Sequence, residues 1–336
     1  MTYRAADTRY DGMQYRRAGR SGLKLPVISL GLWQNFGGNR DYPSAFEILA
    51  AAFDAGITHF DLANNYGPPP GSAEELLGQV MARDFRAYRD EIIVSSKAGY
   101  HMWPGPYGEW GSRKNLIASA DQSLKRLGLD YVDIYYSHRF DPDTLLEETM
   151  DALATLVQQG KALYVGISNY PEAETRQAHA ILAGLGVPCI LHQPSYSILN
   201  RWIEETGTID ACGELGIGVI AFSPLAQGVL SGKYNRGDTA GARGTSNNPF
   251  LKAENIRPET LAAVAALEDI ASSRGQSMPQ LALSWVLRRP EMTSALIGVR
   301  TLEQLSDNLG VLRNLSLSIE EERDIDHAVR TAKQVA

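Results

Sequence analysis

Cysteine is nearly missing from this chain: Cys189 and Cys212 are the only two among 336 residues. They form no metal-ligand spacing and no disulfide framework, so reduced thiols in a cytoplasmic protein are the expectation. Long apolar runs are missing too, and nothing approaches the roughly 20 apolar residues of a membrane span. The opening MTYRAADTRYDGMQYRRAGR is polar and lacks the apolar segment of a secretory signal. A basic excess is also lacking. With 32 Lys and Arg against 39 Asp and Glu the formal charge is −7, which argues against a general nucleic-acid or membrane-surface role but permits a local basic pocket. No G-x-G-x-x-G follows an early strand, as a doubly wound dinucleotide-binding sheet would require. The stretch from Gly228 to Lys233 is one residue too short for a phosphate loop, and Tyr234 stands where Ser or Thr is needed. No His and carboxylate cluster at strand ends supports a metal-dependent hydrolase.

What is present is an ordinary globular balance, 44% hydrophobic and 21% charged. Short apolar runs at 27–30, 58–61, 92–95, 131–135, 162–167, 189–192, 218–221 and 294–297 read as buried parallel strands. Amphipathic stretches at 45–55, 115–127, 145–158 and 259–274 read as helices between them. Gly56 and Gly160 stand where a helix should end before the next strand. Eight such units predict an α/β fold, a (β/α)₈ TIM barrel, better than an open sheet. No linker or change of composition divides residues 1–336, so one domain is expected. Two Gly-rich segments, 99–112 (GYHMWPGPYGEWGS) and 225–257, read as long rim loops, which in compact domains are usually functional.

In such a barrel the working residues follow the strands, at their C-terminal ends. There stand Asp61 and Tyr66 in FDLANNYG, Lys97 in IIVSSKAG and His138 in DIYYSHR. Singly, each has a plainer reading: a turn aspartate, a packed rim tyrosine, a satisfied core histidine. Lys97 is harder to dismiss, because a buried ammonium needs a carboxylate, and Asp61 is the candidate. Together they make a proton-transfer site. A phenol with an ordinary pKa near 10 is a poor acid, and a neighbouring ammonium is expected to favour its phenolate and so assist proton donation. His138 can donate to a carbonyl oxygen and orient it.

Four longer segments carry these residues: FDLANNYGPPPGSAEE, SSKAGYHMWPGPYG, DYVDIYYSHR and GKALYVGISNY. Through them nearly the whole chain resembles the aldo-keto reductases, and within that family the bacterial branch acting on L-glyceraldehyde 3-phosphate and methylglyoxal. The resemblance implies that Asp61, Tyr66, Lys97 and His138 are the catalytic tetrad and that the cofactor is NADPH, more than NADH. It implies Ser168, Asn169 and Gln193 as partners of the nicotinamide carboxamide, and Phe222 as the aromatic stacked on the ring. Ser223, Pro224, Leu225, Gln227 and Gly228 match the loop over the pyrophosphate, with Lys233 and Arg243 supplying charge. Arg300 and Gln304 match the 2′-phosphate surroundings, Asp307 and Asn308 the adenine site. Gly298 and Gln304 depart from the family's lysine and arginine; Arg300 is placed to compensate, near the N-terminal end of a helix over 301–309.

For the substrate, Trp33, Tyr100, Trp103 and Arg139 are expected to join Tyr66 and His138 in the pocket. Arg139 has two readings, a contact to a substrate phosphate or a structural salt bridge. The chain carries no extended irregular tail after its last helix, so a comparatively open site is expected. The expected partners are a small aldehyde and further copies of the chain, a homo-oligomer of four or more. Two alternatives stay open. One is a cofactor-sensing subunit like the potassium channel beta subunits, which typically have asparagine at the position of His138. The other is an aldo-keto reductase acting mainly in the oxidative direction on alcohols or sugars, with the same chemistry in reverse.

Overall fold

Each of the eight apolar runs becomes a strand, and among the described residues these eight parallel strands close on one another. The computed structural model describes residues 3–234 and 257–334; Arg243 lies outside them. A short antiparallel hairpin comes first, β1 (Tyr15–Arg17) and β2 (Lys24–Pro26). The barrel then runs β3 (Ile28–Gly31), α1 (Tyr42–Asp54), β4 (His59–Asp61), α2 (Ser72–Arg83), β5 (Ile93–Ala98), α3 (Arg113–Leu127) and β6 (Val132–Ser137). It continues with α4 (Leu146–Gln158), β7 (Ala162–Ser168), α5 (Glu172–Gly184), β8 (Cys189–Gln193), α6 (Trp202–Glu205), α7 (Thr208–Leu215) and β9 (Gly218–Phe222). Last come α8 (Pro258–Ser273), α9 (Met278–Val286), β10 (Met292–Ile297), α10 (Leu302–Leu309) and α11 (Ile319–Gln334). Strands β3 to β10 pair in chain order, and β10 returns to β3. Gly56 (φ +86°) and Gly160 (φ +70°) do reverse the chain in the left-handed conformation, which costs glycine little.

Strand side chains alternate between two cores. One face packs against the helices, with Val94, Tyr135, Val165 and Val219 in a continuous apolar layer. The other fills the barrel, where Ile134, Tyr136, Leu191, Ile220 and Leu296 cluster. The hairpin was not legible in its polar, three-residue strands. Its Ala18 and Leu25 belong to the inner cluster, and Arg16 bonds the carbonyls of Leu287 and Met292 at the start of β10. It therefore closes the N-terminal end of the barrel and leaves the other end for chemistry.

Candidate active site

Backbone hydrogen bonds extend the barrel past the formal strand ends and so fix where the polar residues stand. Leu62 N donates to Ser95 O, Asn64 N to Lys97 O and His138 N to Ala98 O, each at 2.9 Å. The turn carrying Tyr66 is held as Gly71 N and Ala73 N both donate to the Tyr66 carbonyl. These contacts bring Asp61, Tyr66, Lys97 and His138 to one point at the C-terminal mouth.

Asp61 and Lys97 are fully buried and paired, Lys97 Nζ donating to Asp61 Oδ2 at 2.6 Å and to Leu62 O at 2.6 Å. Asp61 Oδ1 accepts from Ser95 Oγ at 2.6 Å and Gln193 Nε2 at 3.0 Å. Breaking one partner of such a pair costs about 3–5 kcal/mol, because the other charge is left buried and alone. Lys97 Nζ lies 5.1 Å from the centre of the Tyr66 ring. The Tyr66 and His138 rings meet edge to face at 5.9 Å, and Tyr100 meets His138 at 4.6 Å.

Electrostatics corrects one expectation. The ammonium does not bring the Tyr66 phenol down. Desolvation first, then the Asp61 carboxylate and Tyr100, push it well above 10. Although Tyr66 is half-buried by exposed area, its opening is into the cavity, and protein surrounds the rest. Lys97 is itself lowered, by desolvation that outweighs the attraction of Asp61. His138 is held well below 6.5 by burial and by the fields of Lys97 and Arg139, so its imidazole stays neutral and keeps one N–H donor.

A cleft of about 920 Å³ opens beside these groups, near the upper end of the roughly 300–1,000 Å³ usual for ligand sites. It is lined at one end by Trp33, Tyr66, Tyr100 and His138 and at the other by Asp307 and Asn308. Asn169, Gln193, Phe222, Ser223, Pro224, Leu225, Gln227, Gly228, Lys233, Gly298, Arg300 and Gln304 line it as well. Three of these, Asn169 (φ +55°), Ser223 (φ +53°) and Gln227 (φ +57°), are non-glycine residues in the left-handed region. Such strain, of order 1 kcal/mol or more each, gathers at functional sites.

Several expected members stand elsewhere. Ser168 does not line the cleft; its hydroxyl donates to Gln193 O at 2.7 Å and receives Asn169 Nδ2 at 3.2 Å, so it supports the two amides. Trp103 is half-buried in its own loop, away from the cleft. Arg139 is likewise absent from the lining. It takes the structural reading: it pairs with Glu109, donates to Gly99 O at 3.0 Å and stacks on Trp110 at 3.5 Å and Tyr100 at 4.4 Å. It fastens the 99–112 loop, and through it Tyr100. Of the far-end residues, Gln304 Oε1 accepts from Arg300 N at 2.8 Å, and Asp307 holds Gln280 Nε2 at 3.0 Å. A Cβ on Gly298 would meet only Asn35 Nδ2, at 3.6 Å, so a side chain fits there.

Sequence reasoning missed Asn35, which accepts from Arg300 Nε at 3.0 Å, and Asn65, which lines the cleft beside Tyr66 with a buried Oδ1 lacking a partner. Asn65 adjoins Tyr66 in FDLANNYG, which was signal enough to include it. Asn35 had no local signal, since only folding brings the segment after β3 to Arg300.

Comparison with known proteins follows the same lines. Residues 27–330 match the Aldo/keto reductase family. An Escherichia coli (strain K12) protein named L-glyceraldehyde 3-phosphate reductase is 52% identical over 332 residues, covering 98% of this chain and 96% of that protein. A probable voltage-gated potassium channel subunit beta of Oryza sativa subsp. japonica is 36% identical over 326 residues, 96% of this chain and 98% of the other. Another of that description, from Arabidopsis thaliana, is 35% identical over 302 residues, 88% of this chain and 90% of its own length. With its closed eight-stranded barrel, its polar group at the C-terminal mouth and this match over most of its length, the chain belongs to the aldo/keto reductase family of oxidoreductases.

Proposed function

We propose that this protein is an NADPH-dependent reductase of small aldehydes, of the L-glyceraldehyde 3-phosphate and methylglyoxal class, with Tyr66 as general acid. The carrying observation is that Tyr66 and His138 line one cleft, with Lys97 Nζ of the buried Asp61–Lys97 pair 5.1 Å from the centre of the Tyr66 ring. In this reading the chain is a single cytoplasmic domain that assembles as a homo-oligomer of four or more.

The cleft suits a nicotinamide dinucleotide. Its length spans an amide-lined segment (Asn169, Gln193), a tight turn in which Gln227 Oε1 is buried without a partner among the described residues, and the cations Lys233 and Arg300. Amides match a carboxamide, which both donates and accepts, and cations match phosphates. When bound there, the cofactor supplies hydride for the carbonyl carbon. The protein's part is the proton. Tyr66 gives its phenolic hydrogen to the carbonyl oxygen as negative charge gathers there. Because burial holds the phenol well above 10, it is fully protonated at neutral pH and transfers only to a base stronger than phenolate, which the nascent alkoxide is. Neutral His138 orients that oxygen through an N–H, and Lys97, anchored by Asp61, steadies the phenolate left behind.

The identity to L-glyceraldehyde 3-phosphate reductase favours this over a purely sensing subunit, as does His138. The test is oxidation of NADPH, and of NADH in parallel, with methylglyoxal, L-glyceraldehyde 3-phosphate and 4-nitrobenzaldehyde. Saturable turnover is expected with NADPH preferred, and Tyr66→Phe should lower kcat by about 10²–10⁴-fold with NADPH affinity intact. Tight NADPH binding without turnover of any carbonyl would move the protein to the sensing class.

A further inference from the structure

The proton-transfer site continues downward into the barrel, through a line of polar side chains that the mechanism above does not use. Ser29, His59, Ser95 and Ser294 are all fully buried. His59 Nε2 lies 2.9 Å from Ser95 Oγ, and its Nδ1 lies 2.9 Å from Ser29 Oγ. Ser29 Oγ in turn lies 2.7 Å from Ser294 Oγ. At the top, Ser95 Oγ is 2.6 Å from Asp61 Oδ1.

We propose that His59 and Ser95 are positioning residues that act through Asp61, in a hydrogen-bond chain of one fixed polarity running Ser294, Ser29, His59, Ser95, Asp61. The direction follows from counting protons. A carboxylate only accepts, so the single Ser95 hydroxyl proton goes to Asp61, and Ser95 must accept from His59 Nε2–H. A neutral imidazole then presents a lone pair at Nδ1, which accepts from Ser29, and Ser29 accepts from Ser294. His59 is neutral because burial draws it down to about 4; Asp61 opposes that shift and Lys97 adds to it. With Oδ1 taken by Ser95 and Gln193, the carboxylate has one free oxygen, and that oxygen holds Lys97 beneath Tyr66.

A general need to fill the barrel does not explain this chain. The other strands fill the same interior with Ile134, Leu191 and Ile220, which need no partners. Polar groups placed where apolar ones would serve carry a desolvation cost, and here every link is satisfied up to the one carboxylate that the chemistry uses.

The inference rests on the reductase reading for Asp61, Tyr66 and Lys97, so its first test is independent of turnover. In protein labelled with ¹⁵N-histidine, the nitrogens that shift on Ser95→Ala identify His59. They should report the neutral Nε2–H tautomer, unchanged between about pH 5.5 and about pH 8. The Nδ1–H tautomer, or a titration within that range, would overturn the proposed polarity. The second test is kinetic. Ser95→Ala should lower kcat about tenfold and leave KM and NADPH affinity within about twofold, and Ser95→Thr should restore turnover. Lower thermal stability with kcat unchanged would reduce the chain to a structural role. If the unsubstituted protein reduces no carbonyl, the reductase reading fails, and the tautomer alone then decides the chain.

Discussion

The inside of this barrel has two sectors built on opposite principles. Along β6, β8 and β9 it is filled by Ile134, Tyr136, Leu191 and Ile220. Along β3, β4 and β5 it is filled by Ser29, His59, Asp61, Ser95 and Lys97, all fully buried. The first sector is stabilised mainly by loss of apolar surface, roughly 25 cal/mol per Å², and at Ile134, Leu191 and Ile220 any side chain of similar shape serves. The second depends on complete pairing, because a buried polar group without a partner costs about 1–3 kcal/mol and a charge more. One sector tolerates approximation and the other does not. The exacting sector is the one beneath Tyr66, the general acid of the proposed mechanism, so on that proposal stability and reactivity are drawn from different sides of the same barrel.

The division can be broken most forcefully at its charged pair. Asp61→Asn strands the Lys97 ammonium and should cost about 3–5 kcal/mol in urea denaturation. Asp61→Asn combined with Lys97→Met should be more stable than Asp61→Asn alone; a double variant that is worse would refute the stranded-charge account. Next comes pH. His59 and His192 are drawn down to about 4 in the folded chain, and His138 is held well below 6.5, each by burial first. The unfolded chain therefore takes up their protons from about pH 6.5 downward while the folded chain does not. The stability is full above that value and falls toward pH 4, by up to about 1.4 kcal/mol per pH unit for each histidine. Substituting His59 by Gln should flatten that slope between pH 6.5 and 4, and an unchanged slope would mean that His59 is not held neutral.

A gentler test belongs to the apolar side. Ile134→Val should cost about 0.5–1.5 kcal/mol with kcat of the folded enzyme preserved. A fall in kcat matching that of Ser95→Ala would erase the distinction between sectors. The smallest effect is expected at the rim. Arg139→Lys loses the planar stacking between Trp110 and Tyr100 and should raise KM for the aldehyde about threefold with little change in kcat. A large change in kcat would show that Arg139 acts on the reacting atoms after all.

Much of this was legible in the chain itself. The eight apolar runs are the eight barrel strands, and Asp61 and Lys97 at the ends of two of them gather at the mouth with Tyr66 and His138 just beyond, as their positions predict. The apolar sector was legible because its period-two pattern points Ile134 and Tyr136 the same way. The polar sector obeys the same period, His59 with Asp61 and Ser95 with Lys97, yet isolated serines and a histidine in a strand carry no signal until their neighbours are known. Trp103 and Arg139 were misplaced for a related reason. The loop carrying Trp103 was legible as a rim loop, but which side chains face the cleft depends on how Arg139, beyond β6, draws Glu109 and Trp110 onto itself.

Sequence alone determined the architecture, the strand ends that bear chemistry and the pairing of a buried lysine with an aspartate, because periodicity and the cost of an unpaired charge are local or nearly local constraints. Tertiary structure alone decided the sign of the Tyr66 shift, since desolvation depends on everything packed around the ring, and here the Asp61 carboxylate and Tyr100 add to it. It also decided the direction of the hydrogen-bond chain, for which Ser294, Ser29, His59 and Ser95 had to be brought from four strands into contact.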